Sequence, residues 1–480
     1  MNILFKSYAL EKIYKGKWSA VQGFYLLKFS DTLDVSNLAS IYSTDPHILL
    51  VDPNYIGQLD IVPNDPFYYI QWGLPKIKSE SAWNLEKGDS SVIILIHDTC
   101  LDWYHPDFAD SVLSDTILNN IWQNLGEDAD SDGHVLEWDP VHNTWIFDPG
   151  DINYDDDDSN NYPDDFVGWD RLGDAINNYA PDNDPACVGC AQICNDHGNQ
   201  VAGTAGAVTN NYQGVAGAIW YPKLMIYRAD LVLDQSIGGI AYARDNGAKI
   251  INMSWHYPPP NPPSLELAVN LAYQAGLLLV ASAGNETSET PIYPGSYTNV
   301  IGVAATNSSD TRMGYSNYGT WVDLCAPGYT YAPCRVVKGF SYTDKEGTSF
   351  SSPLVAGVAA LIWSACPNFT NAQVRSVLES TADPNVYPIY LRPKLGHGRV
   401  DSWNALVTIN TGDVNNDKNI NIDDLVYLIN YLFKGGPPPA TGKGDCNGDG
   451  RVSIGDIVYL NNFLYKNGSP PTFCCSACFP

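Results

Sequence analysis

The chain has 480 residues, which is more than one domain of ordinary size holds, so two or three folded units are expected. Apolar residues make up 44% of the chain and charged residues 17%, a composition that builds packed cores and excludes a largely disordered chain. The formal net charge of −28 argues against binding to nucleic acid or to an anionic membrane, and it favours the binding of hard cations such as calcium.

The first 62 residues predict a small α+β unit. Residues 23–29 and 46–51 are typical of strands, and residues 35–42 are typical of a short helix. The Pro- and Asn-rich stretch 60–66 has loop chemistry and marks the boundary. Lysines interrupt residues 1–19, so the sequence predicts no signal peptide and a start that is truncated. No apolar run of the length of a spanning helix is expected, and hence no membrane span.

Residues 67–408 predict an α/β domain with a doubly wound parallel sheet, because short apolar runs alternate with helical segments. The runs are 92–96, 224–227, 249–253, 277–281 and 300–304, and the helical segments lie near 235–246 and 264–275. In such a fold the chemistry is expected at the carboxyl ends of the strands. Residues 127–184 form an insertion with 18 acidic side chains and a single basic one, Arg171.

Residues 411–468 repeat one loop and helix, with the two copies 32 residues apart. Each loop places oxygen side chains at its first, third, fifth, ninth and twelfth positions, as calcium loops do. The predicted Ca²⁺ ligands are Asp413, Asn415, Asp417, Asn421 and Asp424 in the first copy and Asp445, Asn447, Asp449, Ser453 and Asp456 in the second. A paired calcium-loop-helix module is therefore expected, followed by a Cys-rich tail over 469–480.

Four polar side chains stand at predicted strand ends or helix starts of the α/β domain. Asp98 ends an apolar strand, His197 begins a helix of small residues, Asn285 follows another strand, and Ser349 precedes an apolar helix. These are the parts of acyl transfer, in which a hydroxyl nucleophile needs a base, the base needs a carboxylate, and the oxyanion needs a donor.

The segments around these residues resemble those of the subtilisin-like serine proteases, above all Gly347-Thr-Ser-Phe-Ser-Ser-Pro353 followed by Leu-Val-Ala-Gly. The resemblance implies the subtilisin-like fold and an endopeptidase acting on proteins or peptides. It assigns Asp98 as the orienting carboxylate, His197 as the general base, Ser349 as the nucleophile and Asn285 as the oxyanion donor. It also implies a substrate-binding set: Ser254, Trp255, His256, Ala283 and Gly284.

Some residues depart from the family pattern. Cys100 stands where a glycine usual in the family follows Asp-Thr, and His97 precedes the aspartate where an apolar residue is common. Gln200 replaces a usual second histidine, and His256 replaces a usual glycine and is expected to narrow the cleft. The alternative to an active enzyme is a degenerate, non-enzymatic surface or scaffold protein.

Residues 20–60 resemble the end of a subtilase propeptide, which implies a zymogen that cuts itself between about Tyr55 and Pro66. The alternative is an ordinary N-terminal αβ extension. Eleven cysteines favour an oxidising compartment, so a secreted or extracellular protein is expected.

Residues 156–164 place oxygen side chains at alternate positions and resemble acidic calcium loops of several subtilases. The predicted ligands are Asp156, Asp158, Asn160 and Asp164. A second candidate is the thinner series Asp128, Asp130 and Asp132. The alternative for both segments is a solvated acidic loop.

The Asp at the twelfth position and the close duplication make the module at 411–468 similar to dockerins. This resemblance implies a cohesin partner, with a purely stabilising role as the alternative.

The cysteines allow two interpretations. Cys187, Cys190 and Cys194 with His197 have the spacing of a zinc site, but His197 is needed as the base, so disulfides are favoured. Cys325 and Cys334 form another possible pair.

Overall fold

The computed structural model describes residues 9–12, 25–28, 42–45, 61–109, 119–173, 180–187, 196–336 and 339–475. The chain divides into two compact units, Met1–Asp60 and Ile61–Pro480. In the first unit, β1 (Ala9–Lys12) pairs antiparallel with β2 (Tyr25–Lys28). The strand predicted at 23–29 is thus present, whereas the strand predicted at 46–51 and nearly all of the helix predicted at 35–42 lie outside the described residues.

A seven-stranded sheet forms the centre of the second unit. In chain order its strands are β3 (Ile93–Asp98), β6 (Gly168–Asp170), β7 (Lys223–Arg228), β8 (Ile250–Met253), β9 (Leu278–Ser282), β10 (Val300–Thr306) and β11 (Leu324–Pro327). Their order across the sheet is β11-β10-β9-β8-β3-β7-β6, and each neighbouring pair is parallel. The five predicted apolar runs all form strands, and the predicted α/β parallel sheet is confirmed.

Two antiparallel hairpins lie outside this sheet. The pair β4 (Leu136–Asp139) and β5 (Thr144–Phe147) belongs to the acidic insertion, and the pair β12 (Tyr329–Val336) and β13 (Gly339–Glu346) precedes the Ser349 segment. Neither hairpin was expected from the sequence, because their mixed polar and aromatic residues show weak alternation.

The helices of the second unit lie in the α/β domain and in the C-terminal module. They are α1 (Gly73–Lys76), α2 (Ser79–Ala82), α3 (His197–Gly206), α4 (Leu233–Asp245), α5 (Pro263–Gln274), α6 (Thr348–Ala365), α7 (Asn371–Thr381), α8 (Ser402–Ile409), α9 (Ile422–Lys434) and α10 (Ile454–Lys466). Short 3₁₀ helices occupy Tyr68–Ile70, Leu125–Glu127 and Ile389–Lys394.

Among the described residues, α6 is long and apolar enough by length and composition to cross a membrane. The expectation that no apolar run reaches this length was therefore wrong. However, 83% of the helix is buried inside the protein, because it packs against the sheet and α3. It is the central core helix of the unit, and small residues such as Gly357 allow this close packing.

The C-terminal module packs on the α/β domain. Leu428 and Leu460, one from each repeat, belong to the same hydrophobic cluster as α6 and α8. The segment after α10 runs back along the linker, where Thr411 N–H donates to Thr472 O at 2.9 Å. A disulfide between Cys366 and Cys475 joins the end of α6 to the end of this segment.

Candidate active site

Asp98 and His197 meet at the carboxyl edge of the sheet. Asp98 ends β3 and is 3% exposed, whereas His197 begins α3. The imidazole Nδ1 of His197 lies 2.8 Å from Asp98 Oδ1 and 3.0 Å from Oδ2. An ionised carboxylate only accepts hydrogen bonds, so Nδ1 carries the proton and Nε2 is free to act as a base.

Two opposing effects act on the pKa of His197. Burial alone would lower it, but the charge of Asp98 and the hydrogen bond to its carboxylate outweigh burial and raise the pKa above its ordinary value.

His97, the residue before the orienting aspartate, belongs to the core. It is fully buried, and its ring lies edge-on to those of Tyr227 and Trp255, with centroids 5.4 Å and 5.1 Å away. Burial lowers the pKa of His97 to about 4, so it is neutral at pH 7. The neutral ring of His97 therefore packs in the core beside Asp98 and adds no charge there.

Cys100 takes the glycine-like position after Asp98 without a left-handed backbone, since it is not among the residues with positive φ. Its side chain forms a disulfide with Cys187. The carbonyl oxygen of Cys100 lies against Gly198, where a Cβ atom would approach it to 2.0 Å. Close packing therefore requires a glycine at position 198, in the first turn of α3, and not at position 100.

Ser349 lies in the first turn of α6, beside the β8 segment. Its hydroxyl donates to Ser254 O at 3.2 Å, and the hydroxyl of Ser254 donates to Ser349 O at 2.7 Å. The ring of the next residue, Phe350, lies 5.6 Å from the imidazole of His197. Catalytic hydrogen bonds are often loose before substrate binds. The Ser349 hydroxyl oxygen can change its position by rotation about χ1 alone, without movement of the backbone.

Asn285 follows β9 and is oriented by Thr348. The side-chain oxygen of Asn285 accepts hydrogen bonds from the backbone N–H and the hydroxyl of Thr348, at 3.0 Å and 3.1 Å. Because its oxygen is engaged, the amide nitrogen points elsewhere, and it lies 3.7 Å from the ideal Cβ position of Gly347. The amide nitrogen therefore lies near Gly347, two residues before Ser349. Thr348 could not be selected from the sequence, because its role depends on Asn285, 63 residues away.

The expected substrate-binding residues lie on two segments beyond β8 and β9. Trp255 donates its ring N–H to His97 O at 3.1 Å, and Gly284 has a φ of +89°. His256 Nε2 lies 3.4 Å from Glu286 Oε1, which links the two segments. Ala283 is fully buried and pairs with β10. Glu286 was not selected from the sequence, although it directly follows Asn285.

In each tail loop the aspartate at the twelfth position binds backbone N–H groups near the start of the loop. In the first loop Asp424 Oδ1 accepts from the N–H groups of Val414 and Asn415, at 2.7 Å and 3.1 Å. In the second loop Asp456 Oδ1 accepts from Asn447 N–H at 3.2 Å. The side chains of Asn421 and Ser453 cap the helices that follow.

A cation fits the first tail loop. Asp413 is fully buried, and both of its carboxylate oxygens lack a hydrogen-bond partner among the described residues. The ammonium group of Lys443 lies 3.6 Å away, which is beyond hydrogen-bond distance. Buried, unpaired carboxylate oxygens are costly unless a cation binds them.

The ligands predicted in the 156–164 loop separate into two groups. Asp156 and Asp158 lie close to Glu127, whereas Asp164 accepts hydrogen bonds from the backbone of Asn153 and Tyr154. Asn160 N–H donates to Asp156 Oδ1 at 2.9 Å. Glu127 comes from a position some thirty residues earlier and could not be paired with this loop from spacing alone.

The structure tests two predictions about the cysteines. Cys187 pairs with Cys100, so the disulfide interpretation is confirmed for it, while Cys190 and Cys194 lie outside the described residues. The proposed Cys325–Cys334 pair was wrong. Cys325 is a free, buried thiol on β11, and Cys334 is bonded elsewhere. Cys325 Sγ instead contacts Leu395 O at 3.2 Å within the core.

Comparisons with known proteins agree with this geometry. The model of the subtilase family matches residues 89–402, and that of the dockerin type I domain matches residues 411–465. The chain is 32% identical to a thermophilic serine proteinase of Bacillus sp. (strain AK1) over 390 residues, covering 78% of each protein. It is 32% identical to thermitase of Thermoactinomyces vulgaris over 333 residues, covering 67% of this chain and 91% of thermitase.

Among solved structures, the chain is similar to one described as proteases from Pseudoalteromonas arctica PAMC 21717. The TM-score is 0.54 at 26% sequence identity, covering 72% of this chain and 98% of that one.

Proposed function

The chain belongs to the subtilase family and carries a dockerin type I domain, and we propose that it is a serine endopeptidase that hydrolyses peptide bonds through an acyl-enzyme. The observation that carries the proposal is the bond between His197 Nδ1 and Asp98, which leaves Nε2 without a proton, and the ring of Phe350, next to Ser349, lies 5.6 Å from this imidazole. A degenerate spacer would have no need of this arrangement.

In the proposed mechanism the Ser349 hydroxyl turns from Ser254 O to His197 Nε2 and attacks the scissile carbonyl carbon. His197 accepts the hydroxyl proton, and the negative charge of Asp98 stabilises the imidazolium that forms. Collapse of the tetrahedral intermediate breaks the C–N bond, and His197 gives the proton to the leaving amine. Water then attacks the acyl-enzyme with His197 again as base, which releases the acid and restores Ser349.

The oxyanion of each tetrahedral intermediate needs donors that are fixed before reaction. We assign this role to the side-chain amide of Asn285 and to the backbone N–H of Ser349. The first is held by Thr348, and the second belongs to the unsatisfied first turn of α6. Thr348 is therefore a positioning residue.

The substrate is proposed to lie between the segments of Ser254–His256 and Ala283–Gly284. The His256–Glu286 contact bridges them, and this supports a cleft narrower than a glycine at position 256 would allow. The proposed substrates are proteins and peptides.

Calcium is proposed to bind in the two tail loops through the ten ligands named above, and in the acidic insertion through Asp156, Asp158 and Asn160. The closing carboxylate in the insertion is Glu127, in place of Asp164. When bound, calcium supplies positive charge that holds these carboxylates together.

A cohesin-like partner is proposed for the C-terminal module. Three apolar side chains of each helix are exposed at matching positions of the two repeats: Ile422, Val426 and Phe433 in α9, and Ile454, Val458 and Tyr465 in α10. Phe433 is 62% exposed and Ile454 is 64% exposed. A repeated apolar stripe of this kind supports a protein partner more than a purely stabilising role.

We further propose that the protein is secreted and is made as a self-processing zymogen. Residues 61–66 belong to the second unit, where Asp65 accepts a hydrogen bond from Asn210 N–H at 2.8 Å. This anchoring supports a cut before Ile61, in the part of the predicted segment that lies outside the described residues.

The proposal is tested by peptide hydrolysis. Ser349→Ala should lower kcat/KM by several orders of magnitude, to the remainder supplied by the oxyanion donors and binding. The control is Ser364→Ala, at the other end of α6, which should keep wild-type activity. If Ser349→Ala retained a tenth of the wild-type rate, the assignment of the nucleophile would be wrong.

A further inference from the structure

We propose that the 128–133 loop is a separate calcium site of the insertion, and that Asp151, beyond the β4–β5 hairpin, supplies its closing ligand. The site does not depend on the catalytic activity proposed above. The site is additional to the calcium sites proposed in the two tail loops and in the 156–161 loop, and it has its own closing residue.

The 128–133 loop has the backbone of the tail loops. Its first carboxylate, Asp128, accepts from the N–H groups of Asp132 and Gly133 at 3.1 Å and 2.9 Å. In the second tail loop, Asp445 accepts from Asp449 and Gly450 at 3.1 Å and 2.9 Å.

The two loops also share left-handed residues at the fourth and sixth positions. These are Ser131 and Gly133 in the insertion, with φ of 62° and 97°, and Gly448 and Gly450 in the tail, with φ of 74° and 84°. This conformation turns successive oxygen side chains toward one point.

Asp151 takes the place that the twelfth residue has in a tail loop. One of its oxygens accepts from Ala129 N–H at 2.8 Å and from Asp130 N–H at 3.3 Å, the second and third positions. Asp424 does the same for Val414 and Asn415. Because the hairpin intervenes, spacing along the sequence could not reveal this residue.

The second carboxylate oxygen of Asp151 indicates that an ion binds here. Asp151 is fully buried, and its Oδ2 has no hydrogen-bond partner among the described residues. An unpaired oxygen at this depth is costly, and a cation is the partner that its carboxylate neighbours favour.

Gly150 leaves the space in which the carboxylates of Asp130 and Asp148 lie. A Cβ atom on Gly150 would lie 2.3 Å from Asp130 Oδ2 and 3.1 Å from Asp148 Oδ1. Gly150 is not among the residues with positive φ, so its lack of a side chain reflects this space rather than the backbone conformation. The all-oxygen, irregular set favours Ca²⁺ over Mg²⁺, which demands an octahedral shell.

The two insertion sites are interlocked. Glu127 closes the 156–161 loop through the N–H groups of Asp157 and Asp158, and the next residue, Asp128, opens the 128–133 loop. An ion in either site therefore fixes the backbone on which the other depends. We expect positive cooperativity between them.

The test is calcium binding by the full chain, in a Ser349→Ala background that prevents self-digestion. Calorimetry and measurement of bound calcium after gel filtration are applied to Asp151→Asn and to Gly150→Ala. The first removes one negative charge, and the second displaces the Asp130 carboxylate without changing any charge. The matched control is Asp139→Asn, which removes a carboxylate that binds the backbone of Val141 and His142 and the imidazole of His142 in the turn of the same hairpin.

We expect Asp151→Asn and Gly150→Ala each to bind about one ion fewer than the parent, and Asp139→Asn to bind the parental number. Full calcium content in both test variants, or an equal loss in Asp139→Asn, would overturn the site. Circular dichroism in excess calcium identifies any variant that fails to fold. For such a variant, Asp130→Asn replaces it in the same comparison. None of these results depends on peptidase activity.

Discussion

The raised pKa of His197 should set the acid limit of the proposed activity. Only neutral His197 can accept the Ser349 proton, so kcat/KM should fall as the pH drops through this raised pKa. In Asp98→Asn the charge that raises the pKa is lost, and the acid limb should move to lower pH. The rate should also fall by about 10⁴, because the imidazole loses its tautomer control. A pH profile of kcat/KM measures both effects, and an acid limb that does not move in Asp98→Asn would refute this role.

Asn285→Ala should lower kcat by roughly 10²–10³ if its amide stabilises the oxyanion. KM should change little in Asn285→Ala. Thr348→Val removes a hydroxyl that holds Asn285 and also accepts from Gly284 N–H, and it should lower kcat less than Asn285→Ala does. Steady-state kinetics on one peptide substrate separate kcat from KM. A loss that appears only in KM would place Asn285 in substrate binding instead.

Residues whose roles follow from local motif could be recognised from the sequence. Asp98, His197, Asn285 and Ser349 each stand at a strand end or helix start within a distinctive segment. Residues that act through a partner distant in sequence could not be. Thr348 contacts Asn285 across 63 residues, and Asp151 reaches its loop across a hairpin.

The Cys100–Cys187 disulfide closes a loop that carries the whole acidic insertion, since its ends are 87 residues apart. Replacing both cysteines by serine should destabilise the folded state by roughly 2–4 kcal/mol, chiefly because the unfolded chain gains freedom. Thermal unfolding in the Ser349→Ala background measures the loss.

The control for this prediction is a reducing agent. It should lower the midpoint of the parent more than that of the double variant, since the remaining disulfides are common to both. Equal sensitivity of the two proteins would show that this disulfide contributes little.

Strands with continuous apolar runs were predictable, because buried parallel strands require them. β6 and β11 were not, since Gly168–Asp170 and Leu324–Pro327 are too short for a period to appear. The β12–β13 hairpin has Pro333 in one strand and charged residues in the other, which weakens any strand pattern.

We expect the distribution of charge to make the stability of the protein depend on calcium. Burial raises the pKa of Glu127, Asp165 and Asp424 to about 7 in the absence of a cation. These groups favour the folded state fully only below their unfolded pKa values near 4. That contribution is lost as the pH rises through about 7.

In calcium-free buffer the thermal midpoint should therefore be lower at pH 7.5 than at pH 5. Excess calcium should suppress this fall, because ions then neutralise the ionised carboxylates of the loops. Differential scanning calorimetry of Ser349→Ala at both pH values, with and without calcium, provides the measurement. A midpoint that rises with pH in calcium-free buffer would contradict the charge argument.

The acidic insertion and the duplicated tail loops were evident from composition and period. How the tail meets the α/β domain was not. Lys443, between the repeats, donates to Val407 O and Asn410 O, and it is 5% exposed. Such contacts join segments with no shared pattern, so neither charge nor periodicity could predict them.

The central claim is that Ser349 is an activated nucleophile. Treatment of the purified wild-type protein with a fluorophosphonate, followed by peptide mass spectrometry, tests it most directly. We expect one adduct per chain, located on Ser349, with no adduct in Ser349→Ala and a much slower reaction in His197→Ala. An unlabelled wild-type protein, or an adduct on a different serine, would contradict the account.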